Sequence, residues 1–172
     1  TLFSTSGQPG SSQDDAGSGL DAGDSSSTAL QINMSGNLST FEGWVDNNWD
    51  TSDYYSVFVP NNWTTWASLS WSNTSADLDF YLYDSNQNTL SYSYYDNPET
   101  VSANSSAVGG TTVYYNVYAY SGNDVYYNLS IGLANLSSSP AYNQNDANSG
   151  GDAGDDVSSA LALSNQNGTY YG

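Results

Sequence analysis

Asp14, Asp15, Asp21 and Asp24 fall within one short stretch that also holds Gly17, Gly19 and Gly23. Calcium takes six to eight hard oxygens at about 2.3–2.6 Å, and short carboxylates on a flexible glycine-rich backbone can supply them. The carbonyls of Gly17 and Gly19 could add neutral oxygens to the four acids. The spacing is not that of an EF-hand loop, and the same acids would also serve simply to keep a linker solvated and extended. A matching set recurs late in the chain as Asp146, Asp152, Asp155 and Asp156. Catalytic chemistry is poorly provided for. With no Lys, Arg, His or Cys there is no Ser–His or Cys–His pair, no Schiff base and no imidazole metal ligand. Only carboxylates remain. Asp77 and Asp79 project from one face of a strand pattern, but strand-edge acids explain them more simply than a glycosidase pair. The expected chain is not an enzyme.

Two further residue classes bear on function. Asn-x-Ser/Thr acceptors for N-linked glycans occur at Asn33, Asn37, Asn62, Asn73, Asn104, Asn128, Asn135 and Asn167. Tyr81, Tyr83, Tyr92, Tyr114, Tyr118, Tyr120 and Tyr126, with Trp66, fall at outward positions of the strand patterns. Such rings can stack on sugars, foreign or the protein's own, or form contacts between subunits. The formal charge of −18 carries no cation to offset it, so nucleic acid and anionic membranes are excluded as partners and cations are favoured. No apolar run approaches the length of a membrane-spanning helix. Taken together, these features point to an extracellular or cell-surface protein.

The chain also repeats itself. At an offset of 131 residues, 15 of positions 1–34 are identical, without a gap. Pro9 meets Pro140, Gln13 meets Gln144, and the Asp-Ala-Gly-Asp run at 21–24 meets that at 152–155. This period is too long for a solenoid and suits one ordinary domain. Residues 1–28 therefore read as a linker and the end of a preceding repeat, 29–136 as one module, and 137–172 as a linker and the start of the next.

Inside the module, apolar and polar residues alternate in short runs, the signature of half-buried antiparallel strands. The runs are 29–34, 38–45, 53–59, 66–72, 77–84, 90–95, 111–120 and 125–131. Tyr55, Val57 and Val59 share one face, as do Ala67, Leu69 and Trp71, then Leu78, Phe80 and Leu82, and then Val113, Tyr115, Val117 and Ala119. No stretch sustains a helical period. About eight strands with turn signals between them predict an all-β fold, an antiparallel β-sandwich of jelly-roll or Greek-key type, followed by the opening segment of a second copy.

The order of motifs is specific. Asp-Ala-Gly-Asp (21–24), Gly-Trp-Val-Asp (43–46), Asp-x-x-Asp-Tyr-Tyr (50–55), Ala-Asp-Leu-Asp-Phe-Tyr-Leu-Tyr-Asp (76–84), Val-Tyr-Tyr-Asn-Val-Tyr-Ala-Tyr-Ser-Gly (113–122) and Tyr-Asn-Leu-Ser-Ile (127–131) follow one another. Over roughly residues 14–132 this resembles the bacterial and archaeal pre-peptidase C-terminal domain. The resemblance implies a small secreted β-sandwich without catalytic activity, appended to extracellular proteases or set in tandem on microbial surface proteins. It also implies calcium where an acidic N-terminal linker docks on a sheet loop. Carried over, the linker acids are Asp21 and Asp24 with Asp14 or Asp15, and the loop acids are Asp50 and Asp53.

The expected function is that of a structural glycoprotein module, repeated end to end or exchanging strands with copies of itself in an extracellular filament or surface array. The alternative is an accessory carbohydrate- or matrix-binding module of a secreted hydrolase.

Overall fold

In the computed structural model the described residues are 13–103 and 108–136, all within the first of two units, Thr1–Ser137 and Ser138–Gly172. The expectations for Asn104, Asp146, Asp152, Asp155 and Asn167 fall outside them. Nine strands form: β1 (Leu30–Gln31), β2 (Leu38–Val45), β3 (Ser52–Val59), β4 (Trp63–Trp71), β5 (Asp77–Tyr83), β6 (Thr89–Ser93), β7 (Glu99–Ser102), β8 (Thr111–Ser121) and β9 (Val125–Asn135). One sheet runs β1-β3-β8-β5-β6 and the other β2-β9-β4-β7, and together they make a β-sandwich. All neighbours are antiparallel except β1, which lies parallel to β3 through Leu30 and Tyr55.

Alternation places the core. Tyr55, Val57 and Val59 of β3, Leu78, Phe80 and Leu82 of β5, and Val113, Tyr115 and Val117 of β8 point inward from the five-stranded sheet and are fully buried. Ala67 and Leu69 of β4 meet them from the other sheet, with Leu129 and Ile131 of β9. Three of the buried residues are tyrosines, and a buried hydroxyl needs a partner. Tyr115 shares its hydrogen with Thr65, whose Oγ1 donates to the Gly132 carbonyl at 2.9 Å. The Tyr55 and Tyr127 hydroxyls lie 2.6 Å apart.

Two elements differ from the alternation reading. β7 falls between the runs 90–95 and 111–120, where the alternation places a loop holding Asn97-Pro98 and Asn104. Glu99 is nonetheless fully buried, and its carboxylate accepts from the Asp96 N–H at 3.0 Å. Residues 13–28 have linker composition, yet they lie against the sandwich, with Ala22 fully buried and the Leu30 N–H donating to the Ala22 carbonyl at 3.1 Å.

Gly43 in β2 is dictated by its neighbour. A Cβ there would lie 2.3 Å from Cζ and the hydroxyl of Tyr127, the cross-strand partner whose ring passes over it. Gly43→Ala is therefore expected to cost about 1–3 kcal/mol by overpacking, read as a lowered urea midpoint with an unchanged slope. A wild-type midpoint would show that the ring is free to move aside.

Candidate metal centre

The acidic site is assembled where the N-terminal segment meets the ends of β2 and β3. A 3-10 turn, Asp15–Gly17, aims Asp15 into the sandwich, and Ala16 within it sits in the left-handed region at φ 54°. Non-glycine residues held there cluster at ligand clamps and turns. The Asp15 carboxylate, 1% exposed, accepts from the Ala22 N–H at 2.9 Å through Oδ2 and from the Trp44 N–H at 3.1 Å through Oδ1. One side chain thereby ties the segment both to itself and to β2. The Tyr54 N–H donates to the Gly23 carbonyl at 3.0 Å and fixes the segment on β3 as well.

From the opposite side come Asp50 and Asp53. Asp50 ends a tight turn in which its N–H and carbonyl both pair with Asp46. Its Oδ2 accepts from Gln13 Nε2 at 2.5 Å. Asp53 points inward from β3, is fully buried, and its Oδ2 accepts from the Tyr127 hydroxyl. One carboxylate oxygen from each of Asp15, Asp21 and Asp53 lies within 4.8 Å of the others. A cleft of about 330 Å³, edged by Asp14, Glu42 and Asp124, opens beside Gln13 and Asp15.

The electrostatics are one-sided, since no cation exists anywhere in the chain. Burial is the main cause that pushes Asp15 up to about 6, with the Asp21 and Asp14 charges adding to it against two backbone donors. Burial likewise pushes Asp50 up to about 7, opposed by the Gln13 hydrogen bond and reinforced by Asp21, Asp15 and Asp24. Asp53 is driven well above the carboxylate range by burial and then by Asp15 and Asp50. Three buried oxygens, Gln13 Oε1, Asp50 Oδ1 and Asp53 Oδ1, have no donor among the described residues. Buried acceptors left this way are costly. Adjacent carboxylates, unpaired hard oxygens and an absence of nitrogen or sulfur donors make a set that suits calcium.

The expected ligands separate into two groups. Asp15, Asp21, Asp50 and Asp53 converge on the site. Asp14 is exposed and its Oδ1 accepts from the Gly19 N–H at 2.6 Å, so it closes the turn. Asp24 is exposed and acts on Asp50 through its field. Gln13 was not expected as a member, although its identity with Gln144 in the repeat was the signal. The repeat keeps what the site uses. Gln13, Asp15, Asp21, Ala22, Gly23 and Leu30 recur as Gln144, Asp146, Asp152, Ala153, Gly154 and Leu161, as do exposed Ser18, Gly19 and Asp24, while exposed Asp14 and Leu20 become Asn145 and Gly151.

Of the described acceptor asparagines, Asn33, Asn37, Asn62, Asn73 and Asn128 are exposed and Asn135 is half-buried. Asp79 is nearly buried on β5 and its Oδ2 accepts from the Tyr81 hydroxyl at 3.1 Å. Among the described residues no helix is long and apolar enough to cross a membrane.

No family model matches the chain. Among solved structures, the pre-peptidase C-terminal domain of a collagenase from Bacillus anthracis is similar at 21% identity, over 59% of this chain and 92% of that one, with a TM-score of 0.47. PliG from Aeromonas hydrophila, a periplasmic inhibitor of g-type lysozyme, is similar at 11% identity over 61% of this chain and 95% of its own, with a TM-score of 0.48. PliG from Salmonella Typhimurium shares 17% identity over 62% and 99%, with a TM-score of 0.38.

Proposed function

We propose that this chain is a non-catalytic structural module of an extracellular or cell-surface glycoprotein, repeated end to end, with calcium holding the start of each module to its sandwich. The observation that carries this reading is the recurrence at 144–155 of the residues whose counterparts fill the acidic site. A segment that merely connected modules would have no reason to keep all three of its buried residues, Gln13, Asp15 and Ala22, while four of its nine exposed ones change. Exposed acceptor asparagines on the module support a coat of N-linked glycans. Weak sites of this all-oxygen kind bind calcium at about 10⁻⁴–10⁻³ M in extracellular modules, where the ion is plentiful.

The array has a predictable dimension. The 11 residues of β9 span about 37 Å at about 3.4 Å each. Residues 137–143, which separate Leu136 from Gln144, reach at most about 28 Å when extended. Electron microscopy of the native material in millimolar calcium should therefore show rods with an axial repeat of roughly 40–65 Å. Chelation should make the rods flexible. Discrete single particles in calcium would sink the reading.

A further inference from the structure

The two outer faces of the sandwich are unlike. On the four-stranded sheet the outward positions are mostly hydroxyl and amide groups, as where Thr40 pairs with Ser130 at 2.9 Å. On the five-stranded sheet tyrosines predominate, set among Ser56, Phe58, Asp77, Asp79 and Asn116, whereas the exposed aromatics of the other sheet are Trp66 and Tyr126. Cross-strand register sets Tyr54, Asn116, Tyr81 and Tyr92 in one row over β3, β8, β5 and β6. The next row holds Tyr114 and Tyr83. The rings are ordered: Tyr54 and Tyr83 have centroids 6.3 Å apart with planes 16° from parallel, and Tyr81 and Tyr83 are 6.0 Å apart at 13°. Within this floor Asn116 is 5% exposed, and its Oδ1 has no donor among the described residues. Asp79, 9% exposed, lies diagonally across from it and accepts only from Tyr81 in the same face.

Charge and hydrogen-bonding capacity narrow what such a face can hold. It offers aromatic surface together with the Asp79 carboxylate, so its ligand must bring an apolar flank and hydrogen-bond donors. There is no Lys, Arg or His to meet a phosphate, sulfate or carboxylate. A second copy of the chain is disfavoured too, because Asp77 and Asp79 would face their own copies with no cation to separate them. Pyranose rings fit both demands, with a C–H face to lie on an aromatic ring and hydroxyls to donate. We infer that the outer face of the five-stranded sheet binds neutral glycan chains, with Tyr54, Tyr81 and Tyr83 stacking on the sugar rings and Asp79 accepting from a sugar hydroxyl. This site lies apart from the acidic centre and does not depend on modules being repeated.

Affinity electrophoresis of unglycosylated recombinant chain through gels containing soluble β-glucan, mannan or chitin oligomers, with heparin and alginate as anionic gels, tests it. Retardation is expected in at least one neutral gel and in neither anionic gel. Tyr81→Ala and Tyr83→Ala together should weaken it about tenfold or more, whereas Tyr126→Ala on the other sheet should leave it unchanged. Tyr81→Phe, which keeps the ring, should retain most of the binding, and the melting temperature of each variant establishes that it is folded. Comparing native protein before and after enzymatic removal of its N-glycans separates the two sources of sugar. Binding only after removal means that the protein's own glycans occupy the face; equal binding means a foreign chain does. No retardation in any neutral gel overturns the assignment. So does retardation indifferent to the tyrosine pair, or self-association that the pair abolishes in place of glycan binding.

Discussion

In a chelating buffer the protein is expected to be most stable near pH 4 and to lose several kcal/mol by pH 7, and 10 mM calcium should restore part of the loss, only toward the upper end of that range. The acids of the centre titrate at 3.8 in the unfolded chain, whereas in the folded state Asp15 is pushed up to about 6, Asp50 to about 7 and Asp53 further. Between pH 4 and 7 the folded protein therefore holds more protons than the unfolded one, and stability must fall as pH rises. A tenfold displacement of a proton equilibrium is worth about 1.4 kcal/mol, so the upper bounds are about 3 kcal/mol for Asp15 and about 4 for Asp50, and solvent screening lowers both. The total is smaller than their sum, because each raises the other and the repulsion is shared. Calcium binds only the ionised centre. In 10 mM calcium, about ten to one hundred times a dissociation constant of about 10⁻³–10⁻⁴ M, it adds about 1.4–2.7 kcal/mol at pH 7, and almost nothing where the carboxyls are protonated. Urea midpoints in EGTA and in calcium chloride at pH 4, 5.5 and 7 would trace both curves. A flat or rising profile in EGTA, with no calcium effect at pH 7, would mean that these acids neither repel nor ligate.

The sandwich was legible because each strand carries its own evidence. Leu78, Phe80 and Leu82 alternate with Asp79 and Tyr81, and such a pattern has only one way to face a core. β7 was hidden because its inward residues are Glu99 and Val101, and a buried glutamate looks from sequence like a solvent-facing position. The acidic segment was hidden for a related reason. Asp, Gly and Ser make the same texture in a free linker as in a segment held by polar contacts, and Ala22 is the one fully buried apolar residue between positions 13 and 28. Only the repeat distinguishes the two, because it retains all three buried residues, Gln13, Asp15 and Ala22, and changes four of the nine exposed ones. That Asp53 reaches Tyr127 across the sandwich could not be read from spacing at all, since it depends on Gly43 leaving room for the ring.

Asp53→Asn is expected to reverse the order of stability between the two buffers. In EGTA at pH 7 the variant should be more stable than the wild type by about 1–3 kcal/mol, and in calcium it should be less stable and show little response to the ion. The side chains are nearly the same shape. Its carbonyl oxygen can still accept from Tyr127, and the new amide takes the place of Asp53 Oδ1, which has no donor, in a cluster shared with Asp15 and Asp21. The cost of desolvating or protonating Asp53 at pH 7, which burial and then the Asp15 and Asp50 charges impose, disappears with the ionisable group. The same change takes a charged oxygen out of the set available to calcium, which selects for ligand charge. Tyr127→Phe separates this effect from simple loss of packing. It keeps the ring over Gly43 but removes a donor from Asp53 and a partner from Tyr55, so it should destabilise in both buffers by about 1–3 kcal/mol while leaving the calcium response in place. If Asp53→Asn instead proves weaker than the wild type with and without calcium alike, Asp53 serves the fold through Tyr127 and is not a ligand.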